Sequence, residues 1–311
     1  MSPVQEMPQS ALAPASTAAQ SIDLLAMGLF IGGALVFLLV MVLLARGLLH
    51  PPVAVNGRRW IILGGLLLPG LALAAVLVSG LRIGVALSHS PQLRALDIQV
   101  VARRWWWELR YRNPDGGGQV VLANELHLPL DGAAMLSFTS GDVIHSFWVP
   151  ALGGKVDVIP GQTNHLVVHP VRAGRYRGQC AEYCGTQHAG MGLEVVVEPP
   201  AQFRAWLLNQ ASPAAEPTEE LARRGAQLFI EAGCGTCHAI RGTVAAGQLG
   251  PDLTHLASRR QLAAAMLDND SAWLQRWIRS AQHLKPSSLM PSLPRDEDEL
   301  AALAAYLGEL R

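Results

Sequence analysis

The chain has 311 residues, half of them hydrophobic and 15% charged, with 24 basic residues against 24 acidic ones. Balanced charge leaves no electrostatic footprint for nucleic acid, and the length allows two or three domains, each with its own core. The apolar excess is concentrated between about residues 22 and 81, which points to a membrane.

Residues 1–21 contain no Lys or Arg and read as an outer N-terminal tail. Residues 22–45 are almost unbroken apolar sequence, with Asp23 near the outer edge. At 1.5 Å per residue, about 24 residues reach roughly 36 Å, enough for a hydrocarbon layer of about 30 Å with some tilt. Residues 61–81 form a second span, broken only by Gly64, Gly65, Pro69, Gly70, Ser79 and Gly80, which membrane helices tolerate. Residues 22–95 therefore read as a transmembrane helical hairpin. Arg46, Arg58 and Arg59 lie in the loop 46–60, so the positive-inside bias puts that loop in the cytoplasm and both termini outside. Arg82 and Arg94, after the second span, weaken the bias. With no basic n-region, residues 1–45 are not read as a cleaved signal peptide. Everything beyond residue 82 is expected on the periplasmic side.

Residues 96–210 are rich in short β-like runs: IQVVA (98–102), QVVLANELHL (119–128), AAMLSFTS (133–140), NHLVVHPV (164–171) and GLEVVVE (192–198). Gly/Pro turns separate them, including NPDGGG (113–118), IPG (159–161) and RAG (172–174), a pattern that predicts an all-β sandwich or barrel. A short helix is expected over 200–209. Residues 211–218, ASPAAEPT, read as a linker. From 219 to 311 the spacing turns helical, in EELARRGAQLFIEAG, SAWLQRWIRSAQ and DEDELAALAAYLGEL, the last with Asp296 and Glu299 placed as a capping box. This is a separate small all-α domain.

All four cysteines fall in two clusters. In CAEYCGTQHAGM, Cys180, Cys184, His188 and Met191 are separated by three, three and two residues. Soft thiolate and thioether donors beside an imidazole favour copper, or zinc if the methionine is ignored. A β-sandwich with one distant histidine and a late Cys–His–Met loop is how a blue-copper site is built; here two thiolates could bridge two ions, with one histidine on each. His145, in GDVIHSFWVP, is the candidate distant histidine, with His127, His165 and His169 as rivals. A Cys180–Cys184 disulfide and a Cys2His2 zinc site stay open on these residues alone.

SGDVIHSFWVPALGGKVDVIPGQ and GQCAEYCGTQHAGM resemble subunit 2 of the haem–copper cytochrome c oxidases. The resemblance covers nearly the whole chain and implies a two-helix membrane hairpin followed by a cupredoxin domain with a binuclear copper centre, CuA. It implies that His145 and His188 each bind one copper, that Cys180 and Cys184 bridge the pair, that Met191 is a weak ligand and that Glu182 binds through its backbone carbonyl. The Glu182 side chain would reach a magnesium site shared with subunit 1. In RRWWWELRY (103–111) the resemblance makes Trp105 the electron entry, and three successive tryptophans on a strand predict that at least one is exposed.

CGTCH (234–238) fits the C-x-x-C-H haem-attachment signature. Cys234 and Cys237 would form thioethers to the porphyrin, His238 would be the proximal iron ligand, and Met290, in LKPSSLMPSLP, the sixth, with Met266 as rival. Residues 219–311 resemble class I cytochromes c, with Pro251 expected against His238 and Trp273, Trp277 and Arg259 as candidate haem-pocket residues.

These resemblances imply the electron-transfer subunit of a proton-translocating cytochrome c oxidase in a bacterial inner membrane. Electrons would pass from haem c to CuA and on to the haem and copper of subunit 1, with the oxygen-reducing site in that other subunit. The linker would keep haem and copper at millimolar effective concentration. Subunits 1 and 3, membrane lipid, and a donor cytochrome c or membrane cytochrome complex are the implied partners. Two alternatives are the electron-entry subunit of a nitrogen-oxide reductase and a membrane-tethered copper or redox protein with no catalytic partner. One departure stands out: many family members carry a glutamate just before the second membrane helix, whereas this chain reads VNGRRWIILGG.

Overall fold

The computed structural model describes residues 9–51, 56–88, 96–112 and 116–311. Arg94 and the start of the NPDGGG turn lie outside the described residues. The chain divides into two units, one of residues 18–91 and one of residues 1–17 with 92–311.

The first unit is helical. Helix α1 runs Thr17–Leu49, and a short helix α2 (Gly57–Trp60) leads through a π-helical stretch, Ile61–Leu67, into α3 (Leu68–Ser88). Asn56 caps α2, its side chain accepting from the Arg59 N–H. The π stretch lies just before Pro69, whose missing N–H and bulky ring disturb the preceding turn of an α-helix. Both helical stretches, Thr17–Leu49 and Gly57–Val85, are long and apolar enough to cross a membrane, and none of their most apolar windows is buried within the protein. They extend beyond the 22–45 and 61–81 read from hydropathy because helical geometry continues through polar ends that hydropathy excludes.

The second unit holds the β-sandwich and the cytochrome-like lobe. One sheet has the order β3-β2-β1-β5-β8 and the other β4-β10-β9-β6-β7. The strands are β1 (Leu96–Arg103), β2 (Trp106–Arg112), β3 (Gln119–Ala123), β4 (Glu125–Pro129), β5 (Ala134–Ser140), β6 (His145–Trp148), β7 (Val156–Val158), β8 (Asn164–Val168), β9 (Gly174–Cys180) and β10 (Gly192–Glu198). The alternating burial of β5 is what a strand with one face on the core should show. Trp107, Leu109, Tyr111, Leu126, Leu128, Leu136, Phe138 and Leu193 fill the space between the sheets. Tyr111 ties one sheet to the other: its hydroxyl donates to the His127 carbonyl at 3.0 Å and accepts from the His127 N–H at 2.8 Å.

The run 119–128 is two strands rather than one. Asn124 has φ 61°, a left-handed conformation that asparagine tolerates, and it sends β3 and β4 into different sheets. The tail is not free of the sandwich. Ala15 is fully buried in its core, with Ala15 N–H donating to Ala151 O and Val171 N–H to Ala15 O.

Helix α4 (Pro200–Ala211) closes the sandwich, and α5 (Glu220–Glu231), α6 (Ser271–Leu284) and α7 (Glu297–Glu309) build the second lobe. Asp270 and Asp296 cap α6 and α7, accepting from the N–H groups of Trp273 and Glu299. Between α5 and α6 a small hairpin pairs β11 (Gln261–Leu262) with β12 (Leu267–Asp268). At its tip Ala263, Ala264 and Ala265 have φ of 55°, 64° and 62°. Left-handed backbone costs a non-glycine residue roughly 1–2 kcal/mol each, so three in succession need compensating contacts.

The segment 211–218 is not a loose tether. The Ala214 N–H donates to Arg241 O, His255 Nε2 bonds Ser212 O at 3.0 Å, and Thr218 N–H bonds the Glu309 carboxylate at 2.7 Å. Small residues and prolines suggested freedom because sequence composition does not report bonds made by the backbone.

Candidate metal centres

The first centre lies where β6, the end of β9 and the loop into β10 meet. His145 opens β6 and is fully buried; Cys180 closes β9; Cys184, His188 and Met191 follow on the loop. The Cys180 and Cys184 sulfurs are 3.8 Å apart and both are free thiols. That distance is far beyond the roughly 2.05 Å of a disulfide, which removes the cystine reading. His145 Nδ1 lies 3.8 Å from the Cys180 sulfur, and His188 Nδ1 lies 3.7 Å from the Cys184 sulfur. The Met191 sulfur is 4.0 Å from Cys184 Sγ, and the Glu182 carbonyl oxygen is 3.2 Å from Cys180 Sγ. His145, Cys180 and Cys184 place their donors within 4.8 Å of one another, while His188 stands outside that group. The two imidazoles thus flank the sulfur pair instead of converging on one point, an arrangement suited to two ions bridged by two thiolates rather than to one tetrahedral zinc.

Electrostatics favours one thiolate of the pair. The bond from the Cys184 thiol pushes the Cys180 pKa down to about 3, and the same contact pushes that of Cys184 up. Asp142, which sequence reading missed, orients His145. Its Oδ1 accepts from the imidazole Nε2 at 2.8 Å, leaving Nδ1 to face the sulfurs. Burial opposes the Asp142 charge, but the bonds from His145 and from the backbone N–H groups of Val143 and Arg104 outweigh it and hold the pKa low. The signal was there in GDVIH, an acid three residues before the histidine.

Two of the three rival histidines are committed elsewhere, and His169, whose buried Nδ1 has no partner among the described residues, is not among the donors grouped at the site. His127 bonds Glu198 through Nδ1 and Glu125 through Nε2, and His165 bonds Ser137. The Glu182 carboxylate is exposed, its recorded partner the Tyr183 N–H; no other described acidic group clusters with it.

The expected exposed tryptophan is absent. Trp105 is 5% exposed and Trp107 fully buried, with Trp106 intermediate. The strand alternation behind that expectation does not apply, because Arg104 and Trp105 form the turn between β1 and β2. Trp105 Nε1 donates to the Cys184 carbonyl at 3.0 Å, and the same side chain lines the second centre.

That second centre is a cavity of about 410 Å³. Cys234, Cys237, His238 and Met290 all line it, among apolar side chains including Phe229, Leu274, Ile278 and Leu303. His238 Nδ1 donates to Pro251 O at 2.7 Å, which fixes the ring and leaves Nε2 as the ligand atom. Burial lowers the His238 pKa, favouring the neutral form that binds iron. Gly250 makes the close approach possible: a Cβ there would sit 2.5 Å from His238 Cε1. An apolar cavity with two thiols, an oriented imidazole and a thioether on its wall fits a covalently held haem c. Of the two candidate methionines, Met290 lines the cavity and Met266 does not. Trp277 and Arg259 line the cavity; Trp273 does not, and instead carries the Arg276 guanidinium 5.1 Å above its ring.

Residues 114–198 match the family described as cytochrome c oxidase subunit II, periplasmic domain, and residues 222–311 match cytochrome c. The chain belongs to the cytochrome c oxidase subunit 2 family, with a cytochrome c domain fused behind it. Among its relatives, cytochrome c oxidase subunit 2 of Alkalihalophilus pseudofirmus is 37% identical over 215 residues, covering 69% of this chain and 61% of that protein. The Bacillus subtilis protein of the same name is 30% identical over 228 residues, 70% of this chain and 63% of that one. The Synechocystis subunit is 36% identical over 141 residues, 45% of this chain and 40% of that one. The chain therefore spans less than two thirds of these relatives' length.

Proposed function

We propose that this member of the subunit 2 family is the electron-entry subunit of a proton-translocating haem–copper oxidase. It takes electrons at a covalent haem c in residues 219–311, passes them to a binuclear CuA centre in residues 96–210, and delivers them to subunit 1, where oxygen is reduced to water. The observation that carries this reading is the pair of unbonded thiols 3.8 Å apart, each beside one imidazole.

In this reading Cys180 and Cys184 would supply the thiolates, His145 and His188 the imidazoles, and Met191 and the Glu182 carbonyl the remaining donors that hold the copper. Cys234 and Cys237 would attach the haem, and His238 and Met290 would hold its iron. Once bound, these groups would supply one-electron redox chemistry. The chain's own residues do the rest. Asp142 and Pro251 hold the two imidazoles in the right tautomer. The apolar wall around His238 excludes water, and the Met290 thioether favours a high potential. Trp105 is the contact for electron passage, because its side chain borders the haem cavity and its indole N–H bonds the Cys184 carbonyl.

The Thr17–Leu49 and Gly57–Val85 helices anchor the chain in a bacterial inner membrane with both redox domains outside. The exposed Glu182 carboxylate joins donors from subunit 1 at a magnesium site. Subunit 3 completes the complex, and cytochrome c or a membrane cytochrome complex supplies electrons.

The test is Cys184→Ser in the intact complex. The binuclear copper absorption and oxygen uptake disappear while the haem remains reducible. A copper spectrum that survives unchanged refutes the ligand set.

A further inference from the structure

The contact between the sandwich and the cytochrome domain is built from groups that are ligands at neither metal centre, although Trp105, Ala263, Ala264 and Lys285 also line the second cavity. Lys285, just after α6, is 3% exposed. Its ammonium donates to three backbone carbonyls: Trp105 O at 2.9 Å, Gly190 O at 2.8 Å and Ala263 O at 2.8 Å. Three acceptors match the three N–H donors that only the charged amine supplies, and two of them belong to the sandwich. Burial opposes the Lys285 charge and lowers its pKa to about 7, and the three carbonyls stand in for the water the ammonium has lost.

The hairpin tip supplies further contacts, beside the Arg260 N–H on Glu125 at 3.4 Å and Gln210 on Ser258 at 3.3 Å. The Ala264 carbonyl accepts from the Gly192 N–H at 3.1 Å, and the Ala265 carbonyl from Arg177 at 3.1 Å. With Ala263 O on Lys285, each of the three left-handed alanines spends its carbonyl on this interface. The sandwich makes room for the tip with glycine. A Cβ on Gly190 would lie 2.7 Å from the Met266 sulfur, and one on Gly192 3.1 Å from Ala264 O. Gly190 and Gly192 flank Met191, so the tip rests on the loop that holds the sulfur ligands. Trp105, whose carbonyl Lys285 holds, is the same residue whose indole bonds Cys184 O.

We propose that Lys285 and the left-handed Ala263–Ala265 tip form a clamp that fixes the cytochrome domain in one pose on the copper-ligand loop. Lys285 is a positioning residue. Its consequence for electron transfer rests on the function proposed above: the haem cavity stays against Trp105, and transfer to copper needs no search by a tethered domain. The covered Trp105 then leaves an external donor only the cytochrome domain as its point of entry.

The test uses the full chain in its detergent-solubilised complex, with Lys285→Met and, as a milder lesion on the sandwich side, Arg177→Ala. Hydrogen exchange of the Gly192 amide reads the clamp without any metal. Both variants raise that exchange at least about tenfold, equivalent to about 1.4 kcal/mol. After rapid reduction of the haem, electron passage to copper in Lys285→Met slows at least about tenfold and becomes dependent on solvent viscosity, with the copper absorption retained. In the wild type it is independent of viscosity. A Gly192 amide that exchanges as freely in the wild type as in both variants overturns the clamp, as does a Lys285→Met transfer rate equal to the wild type's. Should Lys285→Met fail to assemble, the Arg177→Ala exchange decides. A wild-type chain that binds no copper refutes the relay, and the exchange result still decides the clamp.

Discussion

Replacing Asp142 by Asn tests whether the copper site depends on one oriented imidazole. The carboxylate accepts three hydrogen bonds: Oδ1 from Val143 N–H at 2.7 Å and from His145 Nε2 at 2.8 Å, and Oδ2 from Arg104 N–H at 2.6 Å. An amide of the same shape has one acceptor oxygen. Turned toward His145, it faces its NH2 against the Arg104 donor, and one unsatisfied donor costs about 1–3 kcal/mol. Turned the other way, it presents a donor to Nε2 and drives the proton to Nδ1, which removes the lone pair aimed at the metal. Loss of such an outer partner lowers metal affinity by about 10–100-fold, or about 1.4–2.8 kcal/mol. The assay is a copper titration of metal-free full-length chain, followed by thiolate–copper absorption. The haem spectrum serves as a control, since Asp142 does not line that cavity. An affinity within twofold of the wild type refutes the orienting role.

The other predictions concern the haem site and the sandwich core. Gly250→Ala places a Cβ 2.5 Å from His238 Cε1; overpacking of about 1–3 kcal/mol displaces the ring and weakens the low-spin haem absorption, and an unaltered spectrum counts against the packing argument. Met290→Ala lowers the haem midpoint potential and slows turnover, and an unchanged haem spectrum transfers the axial role to another residue. His127 stacks flat on Trp206 and holds a carboxylate on each ring nitrogen. Burial opposes its charge, but Glu125 and Glu198 raise its pKa overall. A raised pKa gives stability that is complete below the unfolded value of about 6.5 and is lost as pH rises through the folded one. The thermal midpoint of the sandwich, read by tryptophan fluorescence, therefore falls as pH rises above about 6.5, and His127→Gln abolishes that slope.

The chemistry-bearing residues were legible because metal ligation demands particular donors at short spacings. Cys180, Cys184, His188 and Met191 lie within twelve residues, and Cys234, Cys237 and His238 within five. Choosing His145 over His127 and His165 needed the fold, because what separates them is which strand end meets the cysteine loop. The capped helices announced themselves through Asp296 and the apolar periodicity after it. The short strands β6, β7 and β9 went unread, since HSFW and VDV are too brief for a period of two to emerge and GRYRGQC is mostly polar. The interface was invisible for a different reason. Ala263–Ala265 reads as helix-forming sequence, and only tertiary contacts turn it left-handed. Lys285 reads as a surface residue, and its burial depends on carbonyls 22, 95 and 180 positions away. The same contacts explain why Trp105, expected at the surface, is covered.

The most direct measurement combines metal analysis with electron paramagnetic resonance on the fully loaded chain. Two coppers and one haem iron per polypeptide, with a single unpaired electron shared equally by two copper nuclei, are the predicted result. Zinc in place of copper, or one copper with a mononuclear signal, would contradict it.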